Sequence, residues 1–150
     1  MEKIKSLLLP LALIFSAIAV FEFGARYGAT NMQAYAIVDG LQFPLSIYTQ
    51  SEADIVNGSK EYLSMMIDKG IAAGAMHRKI WHLSRDAQAA LDSLLIYALK
   101  VRGDAVTERF ATLEASENIP DFTETKLAEI REALAEARND LIDNAPRVAE

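Results

Sequence analysis

Cysteine is absent from this chain of 150 residues. Disulfides, thiolate nucleophiles and cysteine metal sites are therefore excluded, as is a disulfide-stapled secreted scaffold. Proline is missing between Pro44 and Pro120, which leaves room for several long helices. Glycine-rich phosphate-binding turns and the serine motifs G-x-S-x-G and S-x-x-K are also missing. The sequence therefore predicts a protein that is not an enzyme and that needs no cofactor.

Basic residues are in the minority, and no basic stripe is present. The chain carries 15 Lys and Arg against 21 Asp and Glu. The two kinds balance over residues 1–100, with nine of each, whereas residues 101–150 carry six basic and twelve acidic residues. A phosphate backbone would be repelled by this last third. We therefore expect no nucleic-acid partner.

The most apolar part of the chain is its beginning. Residues 6–21 carry no charge, and Lys3 and Lys5 precede them. Such a segment is typical of a membrane anchor or an export signal. The positive charge ahead of it predicts a cytoplasmic N-terminus, with the rest of the chain outside. We therefore expect residues 1–23 to form an anchor that contacts the lipid bilayer through residues 4–23. The location would be the inner (cytoplasmic) membrane, with the bulk of the chain extracytoplasmic, which in a Gram-negative bacterium means periplasmic.

Two fates of this segment are open. As a helix, residues 6–21 would span about 24 Å, short of a hydrocarbon core of about 30 Å. Ala17-Ile18-Ala19 also offers an A-x-A-like cleavage site, which would give a soluble periplasmic protein. Against cleavage, the helical pattern continues beyond Ala19 at Phe23, Tyr27, Thr30, Ala34 and Ile37. We favour an uncleaved anchor.

The remainder of the chain reads as helices throughout, so the predicted fold class is all-α. We expect a helical bundle over residues 24–116. Gly40 would cap the first helix, and residues 41–44, which end in Pro44, would form a turn. A later helix break is expected either at residues 68–70, where Gly70 follows a lysine, or near Ser84.

An amphipathic helix over residues 121–145 would close the fold. Its apolar positions recur at spacings of three and four, as in a coiled coil, over about two heptads. They are Leu127, Ile130, Leu134, Ala137 and Leu141. The favoured interpretation is that this helix packs on its own bundle, and the alternative is an intermolecular seam.

Two pairs of glycines have the spacing that lets helices approach closely. Gly70 and Gly74 are expected to pack inside the bundle. Gly24 and Gly28, next to the predicted anchor, are candidates for self-association beside the membrane. The weak interface candidates are thus these two glycines together with Leu127, Ile130, Leu134 and Leu141.

Methionine and histidine cluster in the middle of the chain, at Met65, Met66, Met76, His77 and His82. Thioether and imidazole groups suit transition metals. On a single helix, however, His77 and His82 would point about 140° apart and could not share an ion. We therefore expect no metal site and a packed His77. If the helix runs through Ser84, His82 would form an ordinary i,i+4 pair with Asp86.

These observations favour a membrane-tethered, non-enzymatic helical protein of the cell envelope that acts by interaction. Its partner would be a second copy or another envelope protein. The alternatives are a periplasmic ligand- or metal-sensing helical domain and a cleaved soluble periplasmic protein.

Overall fold

A computed structural model describes residues 2–50, 57–115 and 121–144. Within these ranges no strand occurs, and the predicted all-α fold is confirmed. The helices are α1 (Glu2–Gln50), α2 (Asn57–Arg78), α3 (Arg85–Arg102), α4 (Ala105–Glu114) and α5 (Asp121–Arg138), which a π-helical turn (Asn139–Asp143) extends. The predicted end of the last helix at residue 145 lies outside the described residues.

Helix α1 has two parts with opposite surroundings. From Pro10 to Ala29 every residue is exposed, whereas Ala34, Leu41 and Leu45 are buried in the core. The exposed part makes α1 the one candidate membrane span among the described residues, and none of its most apolar window is buried. Helix α1 thus joins a projecting apolar segment to the bundle without a break.

The turn predicted at residues 41–44 is wrong, because α1 continues through it to Gln50. Pro44 removes one backbone hydrogen bond, the one to the carbonyl of Gly40. The burial of Leu41, Pro44 and Leu45 offsets that loss. Gly40 is accordingly not a helix cap. Among the glycines of the described residues, it is Gly103 that has a positive φ, of 57°.

Helix α2 is the centre of the bundle and packs against α1, α3 and α5. Its glycines permit the close approaches. A Cβ on Gly70 would lie 2.8 Å from Leu41 Cδ1, and one on Gly74 would lie 2.9 Å from Leu95 Cδ2. The predicted packing of both glycines inside the bundle is therefore confirmed.

The helix break lies near Ser84, one of the two predicted positions. Helix α2 ends at Arg78, and Ser84 caps α3 by accepting a hydrogen bond from the backbone N–H of Ala87. The alternative break at residues 68–70 is wrong, because this segment lies within α2, where Asp68 is fully buried.

Candidate functional site

The loop between α2 and α3, residues 79–84, contacts α1 where α1 leaves the bundle. The backbone N–H of Ser84 donates to Asn31 Oδ1 at 2.8 Å, and His82 Nε2 lies 2.8 Å from Thr30 Oγ1. We call this region the junction. It comprises Phe23, Tyr27, Thr30 and Asn31 of α1, His77 of α2, and Trp81, His82 and Ser84 of the loop.

Thr30 organises the polar part of the junction. Its hydroxyl donates to the carbonyl of Arg26 at 2.8 Å, so it accepts a hydrogen bond from His82 Nε2. Its own carbonyl accepts from His77 Nε2 at 2.9 Å. His82 Nδ1 is buried and has no hydrogen-bond partner within the described residues. Two imidazoles therefore tie α2 and the loop to a single residue of α1.

This arrangement corrects two predictions about the histidines. They were expected to diverge on one helix, but His82 follows the end of α2 at Arg78 and so converges with His77 on Thr30. The i,i+4 pair of His82 with Asp86, which required a helix that runs through Ser84, does not form, because His82 precedes α3 and bonds to Thr30. The predicted packing of His77 is confirmed, since it is 8% exposed.

The apolar part of the junction is a row of aromatic rings. Trp81 is 81% exposed, and its ring lies 6.1 Å from that of Phe23 and 4.9 Å, edge on, from that of His82. Phe23 in turn stacks on Tyr27 at 6.3 Å. The indole is thus held against the projecting part of α1 while most of its surface faces solvent.

An open groove of about 500 Å³ borders Trp81. Arg78 and Arg85 line it, together with Ile80, Leu83 and Asp92. Arg78 is already paired, with Asp92 at 2.7 Å and Asp140 at 3.4 Å. These side chains do not form a combination of groups that is typical of an active site.

The Met/His cluster is spread over different surroundings. Met66 is 39% exposed, while Met76 is half-buried and packs on the core. No group of three or more His, Cys, Asp or Glu side chains among the described residues is placed to hold a metal ion.

The predicted interface residues have two fates. Leu127 and Leu134 are buried, and Ile130 and Leu141 pack partly buried against the same core, so this stripe packs on the chain's own helices as the favoured interpretation predicted. Gly24 and Gly28 lie on the projecting part of α1, where an added Cβ would meet nothing within 4 Å. Their role in self-association stays a prediction.

A second polar cluster surrounds the buried carboxylate of Asp68. Arg102 donates to both of its oxygens, at 2.7 and 3.0 Å, and Arg109 Nε donates to Oδ2 at 2.7 Å. The hydrogen bond to Asp68 raises the pKa of the Arg102 guanidinium. Ser64 and Tyr48 accept the remaining contacts of the two guanidiniums, at 2.9 and 3.1 Å. This cluster joins α1, α2, α3 and α4 and is a structural contact.

The sequence did not identify Thr30, Asn31 and Trp81 as residues of a shared site. One signal was present, because Trp81 is the single tryptophan of the chain and precedes the capping Ser84. The hydrogen bonds that assemble the junction join residues 47 to 53 positions apart, which no local pattern reveals.

Over the described residues, the fold and the junction define an all-helical protein with one candidate membrane span and a bundle packed directly against the end of that span. No protein family, curated protein or solved structure matches this chain.

Proposed function

We propose that the chain is a single-span protein that tethers a helical bundle to the membrane surface and acts by binding another protein. The observation that carries this proposal is the division of α1. Residues 10–29 are exposed on all sides, whereas one face of the part that follows, with Ala34, Leu41 and Leu45, is buried in the bundle. In water the exposed part would be a large unpartnered apolar surface, which a lipid bilayer would cover.

The unbroken course of α1 supports retention of the segment. The helix passes the A-x-A-like site at Ala19 and reaches the bundle without a break. Glu22 and Arg26 pair at 3.2 Å just after the uncharged run, and Phe23 and Tyr27 suit an interfacial aromatic belt. Lys3 and Lys5 favour a cytoplasmic N-terminus and therefore an extracytoplasmic bundle.

A face of α1 beyond the span is available for a protein partner. Met32 and Phe43 are 75% and 71% exposed. They are three turns apart on the helix and differ by only about 20° around its axis. Ala36 and Asp39 lie between them on this face and are also exposed. A partner helix would therefore pack against the two apolar side chains and face one carboxylate.

The membrane tether is tested with a chain that contains residues 1–150. Alkaline carbonate should leave the protein in the membrane fraction, and its intact mass should include residues 1–19. A species that begins at Val20 and is released by carbonate would make this a cleaved, soluble protein instead.

The binding face is tested by site-specific photocrosslinking in membranes. A benzoyl-phenylalanine at Phe43 should give one discrete adduct, and its mass distinguishes a second copy from another envelope protein. The matched control is the same group at Tyr62 on α2, an aromatic position that is 59% exposed. Equal yields at both positions, or none at Phe43, would contradict this face.

A further inference from the structure

We infer that Trp81 and the α2–α3 loop are a second membrane contact, seated in the interfacial layer of the same bilayer that α1 spans. This inference rests on the proposed tether and adds to it an element more than fifty residues away in the chain. The bundle would then lie directly on the membrane, held at two points rather than one.

The level of Trp81 relative to the apolar run is the first step. The uncharged residues end at Phe21, and Phe23 lies about 3 Å further along the helix axis. The Trp81 ring is 6.1 Å from that of Phe23. The indole is therefore at the first turn after the hydrocarbon-spanning residues. Tryptophan and tyrosine are concentrated at this depth in membrane proteins.

The exposure of Trp81 is the second step. An indole has a large apolar ring and one N–H donor, so it is best accommodated where one side is apolar and the other is wet. Here 81% of the residue is uncovered by the bundle. Phe23, which it contacts, is itself 54% exposed. The bilayer interface would cover both rings together and is continuous with the surface that α1 already presents to lipid.

The attachment of the loop is the third step. Ser84 and His82 bond to Asn31 and Thr30 of α1, each at 2.8 Å. The loop therefore keeps a fixed position relative to the span, and little further ordering is required when the indole enters the interface. The contact needs no net charge on the lipid. Lys79, beside Trp81, is already paired with Glu136 of the acidic helix α5.

The test uses the full-length chain in phosphatidylcholine vesicles, with Trp81 as the probe. Because it is the single tryptophan, all indole emission comes from this loop. Lipids brominated near the headgroup should quench the emission several-fold more than lipids brominated near the chain ends. Acrylamide added to the water should quench it weakly. The control is the double variant Trp81→Phe with Tyr62→Trp, whose probe lies about 24 Å along α2 from Arg78.

The control emission should respond to acrylamide and ignore brominated lipid. If Trp81 behaves like the control while the protein floats with the vesicles, the loop contact is overturned and the tether stands. If the protein does not float at all, the tether fails and the loop contact fails with it. Quenching mainly by lipids brominated near the chain ends would place the indole in the hydrocarbon core and would also overturn its interfacial position.

Discussion

At the scale of single residues, the buried polar groups specify most strictly how their neighbours are arranged. Asp68 has no exposed surface, yet two guanidiniums satisfy both of its oxygens. Thr30 is 8% exposed and bonds to two histidines from outside its own helix. A buried polar group specifies one arrangement of its neighbours, because any other arrangement leaves it unpaired.

Replacing Asp68 should therefore strongly lower the free energy of unfolding. Asp68→Asn leaves Arg102 and Arg109 without their carboxylate, and removing one partner of a buried ion pair costs about 3 to 5 kcal/mol. Denaturant unfolding of the full chain in mild detergent measures this loss. The control is Asp104→Asn, whose side chain is 74% exposed and pairs with Arg138. A surface pair of this kind contributes about 0 to 1 kcal/mol. Similar losses in both variants would contradict a special role for Asp68.

Thr30→Val should loosen the loop at the junction with little change of shape. The variant keeps the carbonyl that accepts from His77 but leaves His82 Nε2 without an acceptor, at a cost of about 1 to 3 kcal/mol. We expect faster amide exchange at residues 79–84 than in the wild type. Thr112→Val is the matched control, because the Thr112 hydroxyl is exposed and bonds within its own helix to Glu108. Unchanged exchange in Thr30→Val would mean that ring contacts alone hold the loop.

At the scale of helices, the sequence predicted a feature correctly where a residue and its bonding partner are close together in the chain. Ser84 was predictable as a break because its cap bond reaches only Ala87. The turn at Gly40 to Pro44 was mispredicted because burial of Leu41 and Leu45, a tertiary effect, overrides the local preference. The junction could not be foreseen either, since its partners meet only after α1, α2 and α3 have packed.

The continuity of α1 through Gly40 can be tested directly. A glycine within an exposed stretch of helix is less favourable than alanine by about 0.5 to 1 kcal/mol, so Gly40→Ala should raise the thermal midpoint. Gly103→Ala is the contrasting variant. Its φ of 57° and ψ of −132° suit only glycine, and it should lower the midpoint by an amount that reflects about 1 to 3 kcal/mol of strain. A lower midpoint for Gly40→Ala would restore the predicted cap.

Helix α5 offers the cleanest test of core packing. Leu134 is 2% exposed, and truncating such a side chain to alanine costs about 2 to 5 kcal/mol. Leu134→Ala should therefore markedly lower the thermal midpoint measured by circular dichroism, whereas Leu113→Ala, at a residue 47% exposed, should change it little. Unchanged stability with loss of an oligomer would instead identify the stripe as an intermolecular seam.

At the scale of the whole molecule, α1 joins the candidate membrane span to the bundle without a break in the helix. The same helix exposes Phe21 and Phe23 near one end of the bundle and buries Leu41 and Leu45 within it. Any tilt of the span would therefore tilt the bundle with it. In the proposed arrangement the junction fixes that orientation further, because Trp81, in the loop between α2 and α3, also contacts the membrane interface. A protein that binds the face of Met32 and Phe43 would therefore find this face at a fixed distance from the membrane.

The side of the membrane on which the bundle lies can be tested by labelling single cysteines. Because the chain has no cysteine, a single introduced one reports its own location. Tyr62→Cys, on an exposed part of α2, should react with a membrane-impermeant maleimide in intact spheroplasts. Glu2→Cys, which leaves Lys3 and Lys5 in place, should react only after the membrane is disrupted. The physical reason is the positive charge before the apolar run, which is retained in the cytoplasm. Replacing both lysines by glutamate should therefore weaken or reverse the pattern, and reaction of Glu2→Cys alone in intact spheroplasts would place the bundle in the cytoplasm.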